Sequence, residues 1–418
     1  MLSLSFREKL EKTLFQILIF LLPTQFAYHF WPNWAFVGGI RVDYLAPTIY
    51  LTDCILIIIF FLWFQEKLID KKRVKNFSFP AFVLVFLFSL VNILAAQNYQ
   101  AALFKWIKLY ELIFFVYILI DKKKLLQKEL IFKPLALAVI FTSVLALIQF
   151  FLQKTVGGPF YFFGERSFSA STPGIAKAVY FGKELMRPYS SFPHPNVLAG
   201  VTSASTLFLL RIKGNRIIKF LLLTVTLPAV LLSASLGAWV ALVIAQIASG
   251  IKLTRASFLK KIYLGIFSLA VLTGIFSPLI SKEFIKERNR FPDSVLKRAY
   301  LNIAAGEMVS KEPFTGVGLN NFVVKIPWTL ADETILWYLQ PVHNIFLLMF
   351  TETGLIGLFI FVIFSWKLIK RSLENKVKTR LYATIFLLII ITGSFDHYWV
   401  TLQQSQLLLA LFTGLTYR

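Results

Sequence analysis

Twelve apolar runs, each about as long as a bilayer crossing, recur along a chain of 418 residues. A helix of about 20 apolar residues satisfies its own backbone polar groups inside hydrocarbon. Repeated runs of that length therefore restrict the chain to a helical bundle in a membrane. The runs lie at about 14–31, 47–64, 79–96, 104–120, 134–153, 196–211, 219–234, 237–251, 262–280, 343–365, 381–395 and 401–417. A mean hydropathy of +0.70, with 57% hydrophobic residues, is far above that of a soluble domain. The predicted fold class is an all-α integral membrane protein of about twelve transmembrane helices, with residues 1–418 forming one polytopic domain.

Lysine and arginine set the orientation, because short cytoplasmic loops carry their excess. With the N-terminus inside, the basic segments 65–77, 121–133, 211–219, 252–261 and 366–380 all fall on that side. Together they carry most of the +23 net charge. The charge is thus a topology signal, and no nucleic-acid partner is expected. Both termini are predicted to be cytoplasmic. Two long segments, 154–193 and 282–341, are predicted to be extracytoplasmic loops containing short helices. Cys54 is the sole cysteine, which excludes an intramolecular disulfide and a thiolate metal cluster.

The chemistry-bearing residues gather in and after those two segments. In the first, Arg187-Pro188-Tyr189-Ser190-Ser191-Phe192-Pro193-His194-Pro195-Asn196 places His194 between two prolines, which stiffen the backbone before a helix that starts near Asn196. Asn196 reads as its N-cap. His194 reads equally as a capping side chain or a ligand. Arg187, close to a helix N-terminus, is suited to an anion.

The second segment carries Arg288, Arg290 and Arg298, the last on a predicted amphipathic helix over 294–311 that Pro313 stops. The turn Gly316-Val317-Gly318 follows, with backbone amides available to a ligand. Trp328, Trp337 and Tyr338 offer flat faces for a sugar or for a membrane interface. Next come Pro341-Val342-His343-Asn344, at the mouth of an apolar run. Elsewhere, Lys108 and Glu111 stand one helical turn apart as a structural pair. Asp396-His397 reads either as an orienting pair or as a solvated turn. No compact Asp/Glu/His set with metal-ligand spacing is visible, so no metal and no cofactor are expected.

Pro341-Val342-His343-Asn344 followed by Glu352-Thr353-Gly354-Leu355-Ile356-Gly357 resembles the signature of the O-antigen ligase and polymerase superfamily of cell-envelope glycosyltransferases. The segment 187–200, Arg298 with Gly316-Val317-Gly318, and Asp396-His397 with Gln403-Gln404 are similar to the family in the same order. The resemblance implies an inverting transfer on the extracytoplasmic face of the cell membrane, and the clustered arginines can supply its positive charge without a metal. A glycan would pass from an undecaprenyl-diphosphate carrier to an acceptor hydroxyl on a lipid, glycan or protein, as in lipopolysaccharide assembly.

On that basis His343 is the expected base or acceptor-orienting group, with Arg187 and Arg298 on the diphosphate. Arg288, Arg290, His194, Asn344, Gly316 and Gly318 are expected around the substrate. One departure stands out: relatives carry Ser-Arg at a tight mid-chain turn, whereas Ser235 here precedes Leu236. Two alternatives stay open: a polysaccharide polymerase of the same superfamily, and a flippase or other transporter. Transporters bury charges at the midplane and carry interrupted helices in matched halves. Here the cations gather in two segments assigned to one face.

Overall fold

The computed structural model describes residues 4–70, 79–250, 256–329, 338–374 and 380–418. The protein is mostly helical, and a helix overlaps each of the twelve apolar runs in whole or in part. These are α1 (Leu4–Phe20), α2 (Leu51–Asp70), α3 (Phe79–Ala95), α4 (Tyr99–Asp121), α5 (Lys128–Leu152), α6 (Pro195–Arg211), α7 (Arg216–Leu232), α8 (Leu236–Gly250) and α9 (Ala256–Lys286), then α12 (Ile345–Glu374), α13 (Arg380–Phe395) and α15 (Gln403–Thr416). Three shorter or surface helices lie among them: α10 (Asp293–Lys311), α11 (Phe322–Lys325) and α14 (Tyr398–Thr401). Among the described residues, α5, α9 and α12 are long and apolar enough to cross a membrane.

Burial separates a centre from a rim. Most residues of α6, α13 and α15 are buried, including the polar Gln403, Gln404 and Ser405 of α15 and Thr202, Ser203 and Ser205 of α6. On α3, α7 and α9, by contrast, Leu84, Leu87 and Leu94, Phe220 and Leu227, and Leu269 and Leu272 are exposed. An apolar rim of this extent fits contact with lipid tails. Small residues let the central helices approach closely. Gly200 of α6 lies under the hydroxyl of Tyr398, where a Cβ would collide.

Three expectations need correction. The run at 14–31 is not one helix: α1 ends at Phe20, and β1 (Ala27–His29) pairs antiparallel with β4 (Thr48–Tyr50). Pro23 and Pro32 break the helical pattern there, and the intervening aromatic residues find a strand partner. Two further antiparallel ribbons, β2 (Phe36–Val37) with β3 (Ile40–Arg41) and β5 (Lys177–Tyr180) with β6 (Lys183–Met186), mean that the fold is not wholly α. The segment 154–193 accordingly holds a 3₁₀ turn at Gly158–Phe163 and the β5–β6 hairpin rather than α-helices. Gly157, Gly158 and Gly164 there all have positive φ, which an α-helix does not accommodate.

The third correction concerns Gly316 and Gly318. Their turn does not offer amides to a ligand, because α12 is broken at Gly354 (φ 63°, ψ −169°) and the turn fills the break. Val317 N donates to Thr351 O (2.9 Å), Gly318 N to Glu352 O (3.1 Å) and Leu355 N to Pro313 O (2.8 Å). Asn92 of α3 completes the joint: its amide donates to the carbonyls of Thr315 and Glu352, and its oxygen accepts from Leu319 N, each at 2.9 Å. Backbone groups freed by a break in a buried helix need such partners.

A side chain at Gly354 would meet the Phe314 carbonyl, and its backbone conformation is one that only glycine adopts readily. Gly354→Ala is expected to destabilise the protein by about 3 kcal/mol or more. Gly265→Ala, in open space on α9, should be neutral or slightly stabilising. Thermal unfolding of both variants in one detergent checks the contrast.

Candidate functional site

The buried polar centre lies where α6, α12 and α14 begin, and it starts from the extended segment before α6. Gln149 of α5 grips that segment: its oxygen accepts from Ser190 N (2.6 Å) and Tyr189 N (3.1 Å), and its amide donates to Ser190 O (3.1 Å). This fixes Arg187 and His194 relative to α6. His194, not Asn196, is the N-cap, and its Nδ1 accepts from the Asn196 peptide N–H at 3.1 Å. The helix starts one residue earlier than predicted because Pro195 fits its first position.

Freed from capping, Asn196 bridges. Its Oδ1 accepts from Arg187 Nη2 (2.7 Å), and its Nδ2 donates to Asp396 Oδ2 (2.9 Å). Arg187 Nε also donates to the Ser233 carbonyl in the turn before Leu236, at 2.6 Å. A guanidinium fork held at two points is thereby tied through one amide to a buried carboxylate. Asn196 is thus a site residue rather than the cap its composition suggests, and a lone amide in the first turn of α6 is its one local signal.

Asp396 and His397 are both buried, so they are not a solvated turn. Asp396 Oδ1 accepts from the His397 peptide N–H (2.8 Å), and His397 Nδ1 meets Thr401 Oγ1 at 2.8 Å. His343 packs edge-on to His397 with ring centroids 5.3 Å apart, and Tyr44 packs edge-on to the other side at 5.6 Å. One ligand atom each from His343, Asp396 and His397 lies within 4.8 Å of the others. This overturns the expectation that no compact Asp/His set exists. Its members come from two turns more than 50 residues apart, which no local spacing reveals.

Burial pulls His343 down to about 3 and His194 down to about 4, against the attraction of Asp396. Burial alone would raise Asp396, and hydrogen bonds from the Asn196 amide and the His397 peptide N–H favour its carboxylate. Burial of the histidines favours their neutral form beside it. The charge of Arg298 on α10 acts on His194, His343, His397 and Arg187, and so bears on the same centre as Arg187.

The remaining candidates sit elsewhere or do other work. Asn344 caps α12: its Oδ1 accepts from Phe346 N (2.9 Å) and Leu347 N (3.1 Å), while its amide donates to Ser394 O (3.0 Å). It is committed to holding His343 at the helix mouth. Arg288 and Arg290 lie on an exposed 3₁₀ turn, where Arg290 pairs with Glu287 at 2.8 Å. Tyr338 is half-buried under Lys297 (5.5 Å to the ring), Trp328 is exposed, and Trp337 lies outside the described residues. Lys108 bridges Asp53 (2.6 Å) and Glu111 (2.8 Å), a buried structural cluster.

No curated protein matches the chain. A family model described as O-Antigen ligase matches residues 220–362, a stretch that contains Arg298, His343 and the Gly316–Gly354 joint. This match supports assigning the chain to the O-antigen ligase and polymerase superfamily.

Proposed function

We propose that the protein transfers a glycan from a polyprenyl-diphosphate carrier, of the undecaprenyl type, to an acceptor hydroxyl, with its site on the extracytoplasmic side of the cell membrane. The observation that carries this reading is His343 within 4.8 Å of Asp396 and His397, with Arg187 tied to Asp396 through Asn196 and the charge of Arg298 acting on His343.

The acceptor oxygen attacks the anomeric carbon, and the carbon–oxygen bond to the diphosphate breaks on the opposite face, inverting the configuration. The acceptor's proton passes to the neutral imidazole of His343. Asp396 offsets the charge that the ring gains, as the orienting carboxylate does in other base-activated sites. The departing diphosphate keeps the bonding pair, and guanidinium groups bind its charge through paired hydrogen bonds without a metal. Asn344 and Asn196 act as positioning residues, the first for His343 and the second for the Arg187–Asp396 pair. A polymerase would differ only in using a growing glycan as acceptor.

The test is purified protein in liposomes with a defined polyprenyl-diphosphate oligosaccharide and a hydroxyl acceptor. The expected result is a covalent acceptor–glycan product and free polyprenyl diphosphate. Movement of intact lipid-linked glycan between leaflets without product would support a transporter instead.

The proposed sidedness is tested by labelling single cysteines in a Cys54→Ser background with an impermeant maleimide. Ser171→Cys, in the first long segment, should react in intact cells. Lys123→Cys, between α4 and α5, should react only after the membrane is opened. The reverse pattern would invert the topology.

A further inference from the structure

We propose that His343, Asp396 and His397 form a site for a borderline transition-metal dication of the zinc class, and that filling it shuts the transfer reaction off. The argument starts from hydrogen-bond accounting. Thr401 Oγ1 lies 3.2 Å from the His397 carbonyl one turn back and 2.8 Å from His397 Nδ1. In the tautomer where the hydroxyl donates to that carbonyl and accepts from Nδ1–H, the lone pair is on Nε2, which lies 3.9 Å from Asp396 Oδ1. His343 Nδ1 is buried beside them with no hydrogen-bond partner among the described residues.

Lone pairs of two imidazoles and a carboxylate thus face one another, the donor set that zinc-class ions take. The bond from His397 to Thr401 also supplies the outer contact that fixes a metal-binding imidazole. Tetrahedral zinc with bonds of about 2.0–2.2 Å holds two ligand atoms about 3.4 Å apart. The Asp396–His397 distance of 3.9 Å must close by about half an ångström, and atoms of the set as far as 4.8 Å apart by up to about 1.4 Å. Arg187 and Arg298 oppose a cation here, which sets the expected affinity in the micromolar range rather than that of a structural zinc.

The inhibitory half of the proposal rests on His343 being the base. A neutral imidazole has one basic lone pair. A metal bound through either nitrogen leaves the other as N–H, so the ring cannot accept the acceptor's proton.

The experiment uses the full-length protein with any affinity tag removed and metals stripped with EDTA, titrated with Zn²⁺ against a chromogenic zinc indicator. About one zinc per chain is expected to bind, and His397→Gln should lose that binding. Stripped wild-type protein is expected to remain active. Saturating zinc should then lower its turnover by about 10²- to 10⁴-fold, the effect of losing a general base. His397→Gln, compared with its own metal-free rate, should be insensitive to zinc.

Absence of stoichiometric binding to the wild-type protein, or binding unchanged in His397→Gln, overturns the site. Stoichiometric binding with unchanged transfer keeps the site but removes His343 as the base. Activation by zinc would overturn both the inhibition and the metal-independent mechanism.

Discussion

Replacing His343 by alanine is expected to lower transfer turnover by about 10²- to 10⁴-fold while leaving the protein folded. The size follows from the role: a general base is worth that much when it takes a proton in the transition state. The persistence of the fold follows from the contacts. Among the described residues His343 Nδ1 has no hydrogen-bond partner to strand, and the cap of α12 is made by Asn344, which the substitution leaves intact. A merely packing histidine predicts the opposite pattern, a lower unfolding temperature with nearly parental turnover. Single-turnover transfer, normalised to folded protein in the membrane, separates the two. His194→Ala is the internal comparison. It removes the Nδ1 cap of α6, a loss of about 1 kcal/mol of stability, and should alter turnover far less.

Arg187→Lys and Arg298→Lys are each expected to lower turnover by about 10²- to 10³-fold, the typical effect of losing one preorganised donor to a developing anion. Both substitutions keep the charge, so a large loss would show that the fork matters and not the charge alone. For Arg187 the structure gives a further reason. Its Nε and Nη2 hold Ser233 O and Asn196 Oδ1 at once, and a lysine ammonium cannot span both in that plane. Releasing Asn196 also loosens Asp396, so Arg187→Lys and Asn196→Ala should combine less than additively. Arg288→Ala and Arg290→Ala, on their exposed turn, should leave turnover close to parental. Parental turnover in Arg187→Lys would remove the diphosphate role assigned to that residue.

The apolar runs by themselves determined that the chain is a helical membrane bundle, because a bilayer-length apolar stretch has no cheaper way to satisfy its backbone. The amphipathic pattern near 294–311 likewise determined α10, whose buried face includes Ala299 and Met308. The residues Arg187, Arg298, His343 and Asp396 were legible one at a time, since charged and titratable groups stand out in so apolar a chain.

Their roles were decided by tertiary contacts. Asn196 has the composition of a cap, yet His194 takes that position and leaves the amide to join Arg187 to Asp396. Gly316 and Gly318 look like a ligand turn, yet their neighbouring amides close the break at Gly354, which periodicity reads as part of a continuous helix. His343, Asp396 and His397 are separated in sequence and meet only because α12 and α14 start side by side. Hydropathy and local spacing report what a segment needs from its solvent and its near neighbours. Which distant donor meets which acceptor is fixed by packing, and the pairing of this site arose there.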